Sequence, residues 1–102
     1  MVKIKPGVQF HHISFMYPQI MQMVYIAQKM APDGYEITVT SGCDGKHKVN
    51  SSHYKGKAID IRTRDFPKDK SLTVWRDRIE RALGSCYFVL LEIDHLHLQW
   101  NY

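Results

Sequence analysis

The sequence SHYKGKAIDIR, residues 52–62, joins a polar loop to a β-strand. From residue 57 onwards apolar and polar side chains alternate, which is the period of a strand with two different faces. Ile59 and Ile61 are therefore expected on one face and Asp60 on the other. Because Asp60 lies opposite the apolar side chains, we expect its face to open to a cleft, with His53 at the end of the preceding loop.

The residues before this stretch predict one helix and one strand. Apolar residues recur every three or four positions from Pro18 to about Met30, which indicates an amphipathic helix with Pro18 in its first turn. A turn is expected at residues 32–34 (PDG). The sequence YEITVT, residues 35–40, alternates and is rich in β-branched residues, so it predicts a strand. Residues 8–10 are a candidate short strand. The apolar positions of the helix are Ile20, Met23, Val24, Ala27 and Met30.

A second helix and a further strand are predicted after residue 62. The helix runs from about Ser71, which can cap it, to Leu83, and Gly84 can end it. Residues 86–93 form a long apolar run without helical periodicity, which is typical of a central strand. The side chains of this helix that are expected to be buried are Leu72, Trp75, Ile79, Ala82 and Leu83.

Residues 95–100 alternate as residues 57–62 do, and the break at residues 92–94 joins them to the preceding strand as a hairpin. The two faces of this last strand carry, respectively, Leu96, Leu98 and Trp100, and His95, His97 and Gln99. The order of elements predicts an α+β fold, with two main helices packed on a mostly antiparallel central sheet. Residues 1–102 are expected to form one domain.

Composition narrows the class of protein. An apolar content of 44% with charges of both signs fits a globular domain, and no apolar run approaches the roughly 20 residues of a transmembrane helix. The basic N-terminus lacks an apolar h-region, so no signal peptide is predicted and synthesis in the cytoplasm is expected. The net charge of +4 permits an acidic partner, but the basic residues are scattered and no nucleic-acid surface is expected. Cys43 and Cys86 are expected to be buried or inert thiols, with zinc ligation by the pair as the alternative.

Three residues have the chemistry of a catalytic zinc site. Such a site takes three His, Asp or Glu ligands and keeps a fourth position for water. His53, Asp60 and His97 supply that set from a loop and two strands. Each half of the set also occurs by chance, because the chain has six histidines. A pair of strand histidines satisfied by solvent or hydrogen bonds therefore stays an alternative for His95 and His97.

The wider pattern is more specific than either half. Its residues are, in order, Thr40, Ser41, Gly42, Ser52, His53, Gly56, Ala58, Asp60, Asp94 and His97. This pattern resembles that of the zinc peptidoglycan peptidases of the D-alanyl-D-alanine carboxypeptidase and L-Ala-D-Glu endopeptidase type. The family shares its fold with lysostaphin-like enzymes and the hedgehog signalling domain. The resemblance covers residues 40–100 and implies a hedgehog/DD-peptidase-like fold.

The resemblance also implies a role for each residue of the site. His53, Asp60 and His97 would bind Zn²⁺, and Asp94 would be the general base that takes a proton from the attacking water. His95 shares a strand face with His97, so it is expected to be a second donor or an auxiliary acid/base in the cleft. Glu92 is the competing carboxylate, since it precedes His95 by the same spacing that separates Asp94 from His97.

The chain departs from the family in its first loop. Many relatives have Ser-Gly-Tyr-Arg there, and the arginine steadies the carbonyl or carboxylate of the substrate. This chain has Cys43 and Asp44 after Ser41-Gly42, so the arginine is missing from its usual place. The candidates for a substitute cation are Lys46, His47, Lys48 and Arg62.

The function implied by the resemblance is hydrolysis of a peptidoglycan stem peptide, at either a D-Ala-D-Ala or an L-Ala-D-Glu bond. The small size favours a phage endolysin, which would reach the bacterial cell wall through a holin or as part of the virion. Mild basicity would suit the anionic wall. The alternative is a zinc-containing binding module of the same fold that has lost hydrolysis, and Asp94 is the residue that discriminates the two. DNA binding is a third, weaker alternative, which would depend steeply on salt.

Overall fold

The computed structural model of the chain describes residues 2–8, 18–41 and 57–101. In these ranges two helices and a five-stranded mixed sheet form a small α+β domain. The elements in chain order are β1 (Lys3–Ile4), α1 (Pro18–Lys29), β2 (Thr38–Ser41), β3 (Ala58–Arg62), α2 (Leu72–Leu83), β4 (Tyr87–Leu91) and β5 (His95–Trp100). The prediction of an α+β domain with two main helices is confirmed.

The strand order in the sheet is β1-β2-β3-β5-β4. The β1–β2 pair is parallel, whereas β2–β3, β3–β5 and β4–β5 are antiparallel. The predicted hairpin at residues 92–94 is confirmed, since Glu92 N–H donates to the carbonyl of His95 at 2.9 Å and closes the turn between β4 and β5. Strand β1 was not expected at residues 3–4, and of the candidate strand at residues 8–10 only Val8 is described, outside any strand.

The alternation in β3 and β5 produces two different sheet faces. Ile59, Ile61, Leu96 and Leu98 are fully buried against the two helices in the hydrophobic core. Asp60 and the histidines of β5 therefore point to the opposite face. We call this second face of β3 and β5 the site face.

Helix α1 confirms the predicted helix, and most of the side chains predicted to be apolar and inward-facing are buried. Ile20, Met23, Ile26 and Ala27 are its buried residues, and the predicted Val24 and Met30 are only partly buried. The turn at residues 32–34 is confirmed, and Gly34 takes a φ of 82° that favours glycine.

Helix α2 begins and ends as predicted. The Ser71 hydroxyl accepts a hydrogen bond from Val74 N–H, and Gly84 ends the helix at a φ of 91°. Trp75 and Ile79 are its buried residues, but Ala82 is exposed and its predicted burial is wrong. An alanine adds little apolar area, so the periodicity alone did not determine the edge of the buried stripe.

Strand β4 was predicted to be central, but in the described sheet it is the last strand in the order. Val89 is buried in the core, whereas Phe88 and Leu90 are 44% and 40% exposed. A run of apolar residues suggested burial on both faces, yet one face of β4 is open. Leu90 lies directly opposite His97, so this apolar side of β4 flanks the histidines of the site face.

Candidate metal site and its cleft

The pairing of β3 with β5 brings two predicted ligands together. Asp60 and His97 are direct register partners, and their side chains are in contact on the site face. Asp60 Oδ1 lies 3.1 Å from His97 Nδ1. Asp60 is only 8% exposed, and a carboxylate at that depth needs a compensating partner. Two residues that are far apart in sequence thus form one partly buried polar pair.

The ring of His97 is held from its other side by Gln99. His97 Nε2 lies 3.0 Å from Gln99 Oε1, and Gln99 Nε2 donates to Asn101 Oδ1 at 2.8 Å. Because an amide oxygen only accepts, Nε2 carries the proton in this contact. In the neutral imidazole that proton leaves the lone pair on Nδ1, the nitrogen that faces Asp60.

The environment of His97 also raises the pKa of its imidazole. Burial by itself would lower this pKa, but the hydrogen bonds to Asp60 and Gln99 and the negative charges of Asp60 and Glu92 outweigh it. A proton and a metal ion would therefore compete for His97 Nδ1.

His95 lies between two carboxylates of the β4–β5 hairpin. Its Nδ1 is 2.7 Å from Asp94 Oδ1, and its Nε2 is 2.7 Å from Glu92 Oε2. The same Nε2 lies 3.7 Å from Asp60 Oδ1. His95 thus connects the hairpin carboxylates to the Asp60–His97 pair.

Asp94 is the most exposed carboxylate of this group, with 82% of its side chain accessible. The hydrogen bond from His95, followed by the charge of that imidazole, lowers the pKa of Asp94. Asp94 is therefore ionised at neutral pH, which is the state a general base requires. Glu92 contacts the other nitrogen of His95. The two candidates for the general base, Asp94 and Glu92, are therefore both next to the imidazole of His95.

The Asp60–His97 pair fits two positions of a zinc site. With bonds of about 2.0–2.1 Å, two ligand atoms on a tetrahedral zinc lie about 3.3 Å apart, close to the 3.1 Å between Asp60 Oδ1 and His97 Nδ1. One oxygen and one imidazole nitrogen are donors that zinc accepts. In residues 2–8, 18–41 and 57–101 no three His, Cys, Asp or Glu side chains hold a metal by themselves. The predicted third ligand, His53, lies outside the described residues.

A cavity of about 320 Å³ opens beside Asp60. Its lining is polar and consists of Lys5, Thr40, Asp60, Arg62, Arg64, Asp94 and His95. Larger cavities of about 550 and 680 Å³ lie around the two ends of α2 and include neither Asp60 nor a histidine. The chemistry of the lining, rather than volume, therefore identifies the 320 Å³ cavity as the candidate cleft.

The sequence identified part of this lining and not the rest. Asp60, Asp94, His95 and the candidate cation Arg62 were all predicted. The loop candidates Lys46, His47 and Lys48, with the pattern residues Ser52, His53 and Gly56, lie outside the described residues. Lys5 and Arg64 were missed, since no local pattern connects residue 5 to β3.

Comparisons with known proteins do not identify the chain. It matches no protein-family model, and no solved structure matches it. Within the described ranges no helix is long and apolar enough to cross a membrane. The case for a function therefore depends on the residues of the cleft.

Proposed function

We propose that this protein is a zinc-dependent peptidase that hydrolyses a peptide bond in the peptidoglycan stem. The observation that carries the proposal is the contact of 3.1 Å between Asp60 Oδ1 and His97 Nδ1 on the site face. It brings together two of the ligands implied by the resemblance from strands 37 residues apart. We infer with it a hedgehog/DD-peptidase-like fold.

In this proposal Asp60 and His97 hold Zn²⁺ together with His53. When bound, zinc would supply Lewis acidity to the scissile carbonyl and lower the pKa of a bound water. Gln99 accepts the Nε2 proton of His97, which leaves the imidazole lone pair on Nδ1, the nitrogen that faces Asp60. Burial of Asp60 limits the competition of solvent for its carboxylate.

Asp94 is the proposed general base. Its exposed, ionised carboxylate lies in the same cavity as Asp60, where it can take a proton from the attacking water and pass it to the leaving amine. His95 holds Asp94 through Nδ1 at 2.7 Å and is the proposed positioning residue. Glu92, on the other nitrogen of His95, is the competing base.

The biological setting completes the proposal. We propose that the enzyme serves phage-mediated lysis, acting at the bacterial cell wall after release through a holin or from the virion. The net charge of +4 favours association with an anionic wall polymer.

Metal content and wall hydrolysis together test the proposal. The purified chain should bind about one zinc ion, and Asp60→Asn and His97→Ala should each lose most of it. The matched control is Asp77→Asn, which removes a carboxylate that pairs with Arg76 on α2 and is not in the cleft. Full zinc occupancy in both ligand variants would refute the site.

Hydrolysis is followed by mass spectrometry of the fragments released from purified peptidoglycan. Asp94→Ala should retain zinc and lose about 10²- to 10⁴-fold of the rate, whereas Glu92→Gln should lose much less. If Glu92→Gln lost more of the rate than Asp94→Ala, Glu92 would be the general base. A zinc-loaded wild type that releases no fragments would instead favour the alternative, a zinc-containing module that binds the wall without cleaving it.

A further inference from the structure

We propose that the cavity of about 550 Å³ between the end of α1 and the start of α2 binds a short peptide with free termini and an apolar side chain. We call it the helix cavity. It includes neither Asp60 nor a histidine, so it is separate from the candidate cleft. The inference therefore goes beyond the proposed function and does not depend on it.

The helix cavity has an apolar side. Phe66 and Trp75, whose rings stack with centroids 5.0 Å apart, line it together with Met30 from the segment after α1. Val74, the next residue to Trp75 on α2, lines it as well and is 47% exposed. A ligand side chain that covers this surface removes apolar area from water, which favours binding. The volume is within the range of about 300–1,000 Å³ that is usual for small-ligand sites.

Four charged side chains line the rest of the helix cavity, and they are Asp33, Asp69, Lys70 and Arg78. All four are exposed, and among the ion pairs of the described residues none involves them. Two charges of each sign give no net charge. A ligand with a net charge of either sign would be repelled by two of these groups, whereas a zwitterion can pair with both kinds. The charges therefore favour a ligand that has one ammonium and one carboxylate.

The helix sets the distance between the two kinds of group. Ser71, Val74 and Arg78 line the same cavity, and their spacing places them along one face of α2. From Ser71 to Arg78 the helix rises about 10 Å, and Asp69 comes two residues before Ser71. An extended peptide of three residues also spans about 10 Å, so its termini can reach the charged groups at both ends of this face.

The chemistry of the side chains assigns the two termini. The guanidinium of Arg78 offers two parallel N–H donors that match the two oxygens of a carboxylate. Asp69 at the other end can accept hydrogen bonds from an ammonium group, and so can Asp33 from the turn after α1. The central side chain of the peptide would then lie over Val74. The ligand class is thus a tripeptide without net charge that has an apolar central residue.

The test is an NMR titration of the ¹⁵N-labelled full chain with the peptide Gly-Leu-Gly. Three matched probes each lack one feature: N-acetyl-Gly-Leu-Gly lacks the ammonium, Gly-Leu-Gly-amide lacks the carboxylate, and Gly-Gly-Gly lacks the apolar side chain. We expect saturable shifts of the backbone amide signals of Val74 and Arg78 with Gly-Leu-Gly. Each capped peptide should bind about 5-fold more weakly, because exposed charge pairs contribute little. Gly-Gly-Gly should bind about 10-fold more weakly or less still, because it buries no side chain.

Variants assign these differences to residues. Arg78→Gln should abolish the preference for Gly-Leu-Gly over its amide, and the double variant Asp33→Asn/Asp69→Asn should abolish the preference over the N-acetyl peptide. The matched control is Arg81→Gln, which removes an arginine of α2 that lines a different cavity and should keep both preferences. The NMR spectrum of each variant also reports whether it is folded.

Three results would each refute the site. They are a capped peptide that binds as tightly as Gly-Leu-Gly, shifts that affect the amides of Asp60 and His97 instead of those of α2, and the absence of any shift. The outcome is separable from that of the proposed function, since fragment release from peptidoglycan is a different measurement and requires none of the residues of the helix cavity.

Discussion

His97 is the residue on which the geometry of the cleft depends most. Its ring has an oxygen neighbour on each side, Asp60 at Nδ1 and Gln99 at Nε2. Only one of these contacts can remain unchanged when a metal occupies Nδ1, and that is the contact with Gln99. Gln99 therefore acts through His97, by fixing which nitrogen carries the proton.

Gln99→Leu should weaken zinc binding without removing a ligand. Leucine cannot accept the Nε2 proton, so the proton can move to Nδ1 and block the nitrogen that faces Asp60. We expect the zinc affinity to fall about 10- to 100-fold, measured by competition with a chromophoric chelator. Asn101→Ala is the control, because it removes only the acceptor of the Gln99 amide N–H. An unchanged affinity in Gln99→Leu would show that another contact orients His97.

At this scale the sequence predicted which residues share a face but not which atoms meet. Alternation in residues 57–62 and 95–100 is sufficient to place Asp60 and His97 opposite the core. The register that makes them direct partners, and the contact of 3.1 Å, depend on how β3 pairs with β5. Lys5 could not be predicted at all, since it reaches the cleft through the parallel pairing of β1.

Among the elements, β2 shows how a side chain can replace a strand partner. Residues 35–40 predicted a strand, but β2 begins at Thr38. The amide of Gln28 on α1 donates to the Tyr35 carbonyl at 2.7 Å and accepts from Ile37 N–H at 3.0 Å. These contacts satisfy the backbone as a neighbouring strand would. The extended sequence was interpreted correctly, whereas its hydrogen-bond partner is a helix residue that no local pattern indicates.

The segment before β2 is also connected to the turn after β3. The Tyr35 hydroxyl donates to Asp65 Oδ1 at 2.7 Å. Burial, followed by this hydrogen bond and the charge of Asp65, raises the pKa of Tyr35, and the nearby charge of Arg62 opposes the rise only in part. The folded chain therefore keeps the phenol proton at a pH where the unfolded chain has lost it.

This difference predicts a specific loss of stability in alkali. A pKa raised in the folded state gives stability that is complete below the unfolded value of about 10 and decreases as the pH rises above it. Tyr35→Phe removes the titrating group and should cost about 1 kcal/mol or less at pH 8, where only the hydrogen bond is lost. The difference in the free energy of unfolding between the wild type and Tyr35→Phe, measured from urea unfolding curves, should become smaller above pH 10. A gap that stays constant from pH 8 to pH 11 would contradict this account.

For the whole molecule, an aromatic cluster joins the two helices to the loops at the end of the sheet. Trp75 is 2% exposed, stacks on Phe66 with ring centroids 5.0 Å apart, and donates from Nε1 to the Ala27 carbonyl at 3.1 Å. One side chain of α2 thus satisfies the backbone of α1 and fills the core between them. The sequence predicted the burial of Trp75 from helical periodicity but not this hydrogen bond.

Trp75→Phe should destabilise the fold while leaving the cleft unchanged. The smaller ring leaves a cavity, and the Ala27 carbonyl loses its donor, which together cost about 2–4 kcal/mol. We expect a clear fall in the urea midpoint, with zinc still bound in the absence of urea. The control is Val74→Ala, since Val74 is 47% exposed next to Trp75 in the same helix. A loss of zinc that exceeds the unfolded fraction would indicate that the core and the cleft are coupled.

Strand β5 has consequences for how this protein can vary in length. Its six residues alternate between core and cleft, and β5 is paired on both edges. A substitution at one position changes one face only. A deletion of a single residue would exchange the two faces beyond it, turning histidines into the core and leucines outwards. Related chains should therefore differ in composition along β5 but never in its number of residues, and natural insertions should fall in the turn at residues 92–94.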